Sequence, residues 1–199
     1  MKPNLIVVAG PNGSGKTTIT EKLLRHEWMD GCEYINPDII AQEKFGDWNS
    51  QEAIIKAANY AQEMREKCLI DMRSMAFETV FSTLEKVQFV QRAKKAGFFI
   101  RLFFICTNDP SINAQRVAIR ILEGGHDVPI PKIINRYYRS IANCIESIPI
   151  VDRAYFYDNS ETDCDPKLIF KTNDGAIAKI YTPWVPWAKD VAEQIMAST

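Results

Sequence analysis

The chain has 199 residues, 46% of them hydrophobic and 25% charged, a globular composition that excludes a fibrous repeat or a disordered tail and suits one domain over residues 1–199. Lys and Arg number 24 against 25 Asp and Glu, so the formal net charge of −1 gives no bulk field for nucleic acid or an anionic membrane. Any anionic ligand must therefore be held by a local cluster.

Strand-length apolar runs alternate with amphipathic helical stretches, the pattern of a mostly parallel α/β sheet with helices on both faces. A first strand is expected over residues 5–9, followed by a glycine-rich turn and a helix from Lys16 to about Arg25. A short strand at 33–35 stops at Asn36-Pro37, because proline cannot donate to a ladder and restricts its predecessor. Asp38 then stands where a helix through Phe45 begins. Asn49, with Glu52 three residues on, is placed to cap a long helix over about 51–72. A third strand spans 75–78, and Ser82 with Glu85 matches a capping box at the head of a helix that Gly97 ends. The run 98–106, broken only by Arg101, reads as a buried central strand. Asp109-Pro110 starts a helix to about Leu122, Gly124-Gly125 ends it, and Pro131 opens another to about Ile148. This helix, loop, helix unit is a kinase-like lid in outline. A strand at 154–157, a hairpin turning at Asp174-Gly175 and a helix from Pro186 close the chain.

Five cysteines (Cys32, Cys68, Cys106, Cys144, Cys164) with no C-x-x-C pair suggest reduced thiols rather than a disulfide framework or zinc ribbon. The N-terminal apolar run is too short for a signal peptide, and Arg101 interrupts the next one. A cytoplasmic chain without a membrane partner is expected.

Gly10-Pro11-Asn12-Gly13-Ser14-Gly15-Lys16-Thr17 matches G-x-x-x-x-G-K-S/T at every fixed position, after an expected strand and opening an expected helix. Glycines let successive backbone N–H groups turn toward phosphate oxygens, and the helix N-terminus adds its positive dipole. In such a loop Lys16 meets the β- and γ-phosphates, Thr17 binds Mg²⁺, and Thr18 extends the cradle. The fold expected is that of a P-loop NTPase, with ATP and Mg²⁺ as ligands. The loop does not encode the base, but no N-K-x-D guanine signature is present.

Between residues 116 and 139 the cations Arg116, Arg120, Lys132, Arg136 and Arg139 face only Glu123 and Asp127. Arg116 and Arg120 are four apart on one helix face. Arginines on a closing lid neutralise charge that develops in phosphoryl transfer; the alternative is a solvated basic face. Glu78 and Thr79 fall at the end of the third strand, in the crevice where open α/β sheets bind ligands, although a strand-end Glu is commonly solvated or paired. Asp109 could be a Walker-B-like Mg²⁺ ligand, but Pro110 favours a helix cap. His26 and His126 lack ligand spacing; His26 is expected to complement its helix dipole, and Trp184 and Trp187 read as packing aromatics.

LIVVAGPNGSGKTT, YINPD, FETVFS, QRVAIRILEGGHDVP and AYFYDNS together resemble the zeta toxin family of P-loop kinases, in its short branch, from the first strand to about residue 160. The resemblance implies ATP-dependent phosphorylation of the 3′-hydroxyl of UDP-N-acetylglucosamine and control by an antitoxin protein. It places the base that takes the acceptor proton at Asp38, which could equally cap a helix beginning at Ile39. It puts Glu78 against the acceptor sugar nucleotide and Asn159 and Ser160 at the adenine, where they could otherwise be turn residues. Two other readings remain open: a kinase of another small molecule (a nucleoside, a sugar or a short acid), and a nucleotide-dependent ATPase or interaction module.

Overall fold

The computed structural model describes residues 2–46, 50–122 and 128–197. In chain order they form β1 (Asn4–Ala9), α1 (Lys16–Leu23), β2 (Glu33–Ile35), α2 (Pro37–Lys44), α3 (Gln51–Ile70), β3 (Met75–Thr79), α4 (Leu84–Ala96), β4 (Phe99–Cys106), α5 (Pro110–Leu122), α6 (Ile130–Ser147), β5 (Arg153–Asp158), β6 (Lys167–Asn173), β7 (Ala176–Ile180) and α7 (Pro186–Ala197).

Seven strands make one sheet in the order β2-β3-β1-β4-β5-β6-β7. The first five are parallel, and the hairpin β6–β7 adds antiparallel to β5. β1 and β4 are apolar at consecutive positions because both sheet faces are covered. Leu5, Val7, Phe77, Leu102 and Phe104 belong to the larger core, with Ala57 and Ala61 of α3, Phe89 of α4, Tyr137 of α6 and Val191 of α7. Ile6, Val8, Phe103 and Ile105 face the other way, onto Ile19 and Leu23 of α1. This is the P-loop NTPase architecture expected from the alternating pattern. Asp174 (φ 47°) and Gly175 (φ 86°) form the β6–β7 turn, as their Asp-Gly sequence predicts.

Several local expectations are corrected. The N-cap of α2 is Asn36, whose Oδ1 accepts from the Asp38 N–H at 2.9 Å, so Asp38 lies inside the first turn and is not used as the cap. The anticipated Asn49 cap lies outside the described residues, and Ser50 caps α3 by accepting from the Ala53 N–H. The Ser82/Glu85 capping box does not form: Phe81 takes a left-handed conformation (φ 61°), which delays α4 until Thr83 is its N-cap. α6 starts at Ile130, one residue before Pro131, with Pro129 as its cap. His26 does not complement the α1 dipole; its Nδ1 accepts from the Trp28 N–H and caps a short 3₁₀ turn. The Gly124-Gly125 break and His126 lie outside the described residues.

Candidate active site

β1 delivers the glycine-rich loop to the carboxyl edge of the sheet, between β3 and β4, where neighbouring crossovers leave a crevice. The loop is clamped from three sides. Asn113 of α5, fully buried, donates from Nδ2 to the Asn12 carbonyl at 2.6 Å and accepts at Oδ1 from the Thr107 hydroxyl. Asn159, after β5, donates from Nδ2 to the Ser14 carbonyl at 2.9 Å. Arg136 of α6 reaches Asn12 Oδ1 at 3.3 Å. These contacts explain two of the glycines. Gly13 (φ 72°) would place a Cβ 2.6 Å from the Asn113 carbonyl oxygen, and Gly15 (φ 85°) would place one 2.1 Å from Asn159 Nδ2.

The cradle fits a phosphate. Gly15 opens α1 without a side-chain cap and the first turn holds no acidic residue, so the helix N–H donors face outward uncompensated. Ser14 Oγ is buried without a hydrogen-bond partner. Lys16 folds back over the loop, donating from Nζ to the carbonyls of Gly10 (3.0 Å) and Pro11 (2.9 Å). Burial brings its pKa down to about 8; Glu78 opposes that shift and the Arg120 charge adds to it. Thr17 is exposed at the mouth of the loop, and Thr18 follows on the first turn. Under the loop, Cys106 ends β4 as a buried thiol whose pKa is pushed up to about 12, chiefly by burial.

Across the neighbouring strand ends a hydrogen-bonded chain links the candidate acceptor residues. Tyr34 of β2 donates from Oη to Glu78 Oε1 at 3.2 Å and accepts from Asn36 Nδ2 at 3.0 Å, while Asn36 caps the turn that carries Asp38. Burial, reinforced by the Glu78 charge, raises the Tyr34 pKa above its usual value, so the phenol stays protonated and remains a donor. Glu78 thus accepts from Tyr34 while its charge favours the protonated form of Lys16. Asp38 is exposed, and the Asn36 cap leaves its carboxylate out of the helix-capping role. Thr79 Oγ1 accepts from the Phe81 N–H at 3.0 Å, and the loop after β3 is pinned to α6 by Ser140, which donates to the Val80 carbonyl, and by Asn143, which donates to the Phe81 carbonyl at 2.8 Å.

The basic residues separate into different surroundings. Arg120 is exposed and adds its charge beside Lys16. Arg116 is half-buried, donating to the carbonyls of Asn159 (2.7 Å) and Glu161 (3.0 Å), so it holds the loop that braces Gly15. Asp109 accepts from the Ser111 N–H at 2.7 Å, the cap geometry, which draws its pKa below the usual carboxylate value. Tyr34, Asn36 and Asn113 were not singled out from sequence. Pro37 marks Asn36 as a helix-start candidate, but nothing local signals the contacts of the other two.

Comparison with known proteins agrees with this architecture. A protein of Haemophilus influenzae with no characterised role is 29% identical over 138 residues, covering 69% of this chain and 94% of that protein. Among solved structures, a chain of the AvrRxo1-ORF1:AvrRxo1-ORF2 complex superposes with a TM-score of 0.68 at 18% identity over 98% of this chain, which spans 63% of that longer one. A structure of the same complex contains ATP. A chain of the PezAT toxin–antitoxin system of Streptococcus pneumoniae gives 0.63 at 18% identity, covering 99% of this chain and 87% of that one. Residues 5–137 match the AAA_33 family, described as an AAA domain, and the chain belongs to that family.

Proposed function

We propose that this chain is a single-domain ATP-dependent phosphotransferase acting on a hydroxyl of a small anionic acceptor, a UDP-sugar such as UDP-N-acetylglucosamine. The observation that carries the reading is the juxtaposition of two parts: the phosphate cradle with Lys16, and at the adjoining strand ends Glu78 bonded to Tyr34, whose other partner, Asn36, caps the turn that carries Asp38.

ATP, when bound, supplies the transferable phosphoryl group, and Mg²⁺ offsets its charge. The residues from Gly10 to Thr18 would hold the phosphates by backbone N–H groups and Lys16, with the Thr17 hydroxyl as the protein's ligand to Mg²⁺. Asn159 would border the adenine while bracing the loop. Glu78 and Thr79 would bind the acceptor, and Asp38 would take the proton from its hydroxyl as the new O–P bond forms and the bond from the γ-phosphorus to the departing ADP breaks. Arg120, beside Lys16, would neutralise charge on the transferring group, an effect worth about 10³ to 10⁵ in rate where an arginine serves this way. Arg136, on α6 beside the P-loop, would join Glu78 and Thr79 in binding the acceptor, and Arg116 would act with Arg120 while holding the loop that braces Gly15. The PezAT and AvrRxo1 neighbours are complexes with partner proteins, which supports an antitoxin-like protein as the regulatory partner. All five cysteines are free, and among the described residues no helix is long and apolar enough to cross a membrane.

The test is transfer from ATP to UDP-sugars by wild type and by Asp38→Asn. Phosphorylated product that disappears in the variant while ATP still binds supports the reading; equal turnover in the variant removes Asp38 from the mechanism.

A further inference from the structure

The two faces of the sheet are covered unequally. α2, α3, α4, α6 and α7 all supply residues to the larger core, whereas among the described residues α1 is the one helix in the smaller core, which in chain order ends at Tyr157. Past β5 this second face has no covering helix, and β7 is exposed at every position but Ile177. The strand register fixes what lines it. Phe103, Tyr155, Lys171 and Lys179 are partners across β4, β5, β6 and β7, so their side chains form one row on the α1 face, and Arg101 and Arg153 pair in the row beside it. Lys171 opposite Lys179 and Arg101 beside Arg153 set like charges together, which a bare sheet face disfavours.

Carboxylates meet this surface at its margin: Asp174 reaches Arg153 at 3.3 Å, and Asp165 pairs with Lys22 at 2.9 Å. Among the described residues Arg101, Lys171 and Lys179 have no carboxylate partner. Arg101 donates to Asn4 Oδ1 at 2.9 Å with its guanidinium carbon 4.6 Å from the centre of the Trp28 ring, and Lys179 Nζ stands 4.7 Å from the centre of the Tyr181 ring. Aromatic rings adjoin the cations. Phe103 and Tyr155 stack at 4.7 Å with their planes 9° apart, and Trp28 tilts over Tyr155 at 5.9 Å. With His26, Leu23 and the half-buried Tyr157 these rings line an open cavity of about 290 Å³ on the flank of α1.

We infer that this face binds a single strand of nucleic acid, with bases on the aromatic cluster of Trp28, Tyr155 and Tyr157 and phosphates along Arg101, Lys171 and Lys179. A single strand is the polyanion that brings both a free π face and a charge at every residue, whereas a duplex keeps its bases stacked and an acidic peptide uses the cations alone. The balanced net charge of the chain leaves the affinity to this local row. None of these residues belongs to the phosphate cradle or to the group around Glu78, so the inference is independent of the kinase reading.

The experiment saturates the P-loop with Mg²⁺ and AMPPNP and titrates the protein into a short fluorescein-labelled oligoadenylate, reading anisotropy at several salt concentrations. Wild type, the double variant Lys171→Ala/Lys179→Ala and Tyr155→Leu are compared, with Tm recorded for each. Wild type binds the strand more tightly than the duplex it forms with its complement, and log Kd rises with log salt at a slope of about 2, three phosphate contacts at about 0.7 each. The double variant loses about tenfold or more in affinity and its slope falls below about 1, whereas Tyr155→Leu loses about fivefold or more at an unchanged slope; both keep the AMPPNP affinity of wild type. If Tyr155→Leu does not fold, the preference for strand over duplex reads the stacking in its place. No binding by wild type, a duplex bound as well as the strand, or unchanged affinity in either folded variant overturns the inference. Displacement by polyglutamate or by AMP as readily as by unlabelled strand also overturns it, because a bare basic patch or a mononucleotide pocket then explains the binding. Strand binding without phosphorylation of any UDP-sugar supports this surface and counts against the kinase reading alone.

Discussion

Lys16 makes nucleotide affinity sensitive to pH in a range where an ordinary lysine does nothing. Its pKa is lowered by burial to about 8, whereas a bound phosphate restores the charged form. If only the protonated amine binds phosphate, the competent fraction is about three-quarters at pH 7.5 and about one-tenth at pH 9, so ATP affinity falls about eightfold between them. That interval lies above the titration of the terminal phosphate, so ATP itself does not change charge. The same linkage requires proton uptake on binding, close to one proton per ATP at pH 9. Titration calorimetry in two buffers of different ionisation enthalpy measures both quantities. In the free protein the sign for folding is opposite to that of an ion-paired lysine: the native state disfavours the charged form, so stability rises as pH climbs from about 8 toward the unfolded value of 10.5. ATP affinity constant within twofold from pH 7.5 to 9, with no proton uptake, would show that the Lys16 amine does not titrate in this range.

Tyr34→Phe keeps the ring but leaves Glu78 without its phenolic donor and Asn36 Nδ2 without its acceptor; kcat should fall about tenfold with ATP affinity unchanged, and stability should fall by about 1 to 2 kcal/mol, measured by steady-state kinetics and urea unfolding. Gly15→Ala meets both a φ of 85° and a Cβ contact of 2.1 Å with Asn159 Nδ2, so it should abolish measurable ATP binding, and adding Asn159→Ala should relieve the clash without restoring full affinity. Trp187→Phe removes the Nε1 donor to the buried Asp158 carboxylate at 2.8 Å; a loss of about 1 to 3 kcal/mol is expected on thermal unfolding with ATP affinity preserved, and an unchanged Tm would discard that contact as a support of α7.

Legibility in the sequence follows how local each feature is. The phosphate loop, the alternation of strand and helix, and the Asp-Gly hairpin are written in contiguous residues. Helix starts were harder, because several residues with capping side chains compete. At residues 36–38 the proline decides for Asn36, and at 81–83 the left-handed Phe81 overrides the Ser82 pattern. The supports of the site were hidden because they act across the fold: Asn113 reaches Asn12 over 101 positions and Tyr34 reaches Glu78 over 44.

The most direct test of the account incubates the purified protein with Mg-ATP and UDP-N-acetylglucosamine and looks by mass spectrometry for one added phosphoryl group. A kinase of this design yields a phosphorylated UDP-sugar that is lost in both Lys16→Ala and Asp38→Asn. ADP and phosphate released at the same rate with and without the UDP-sugar, and no phosphorylated acceptor, would contradict it.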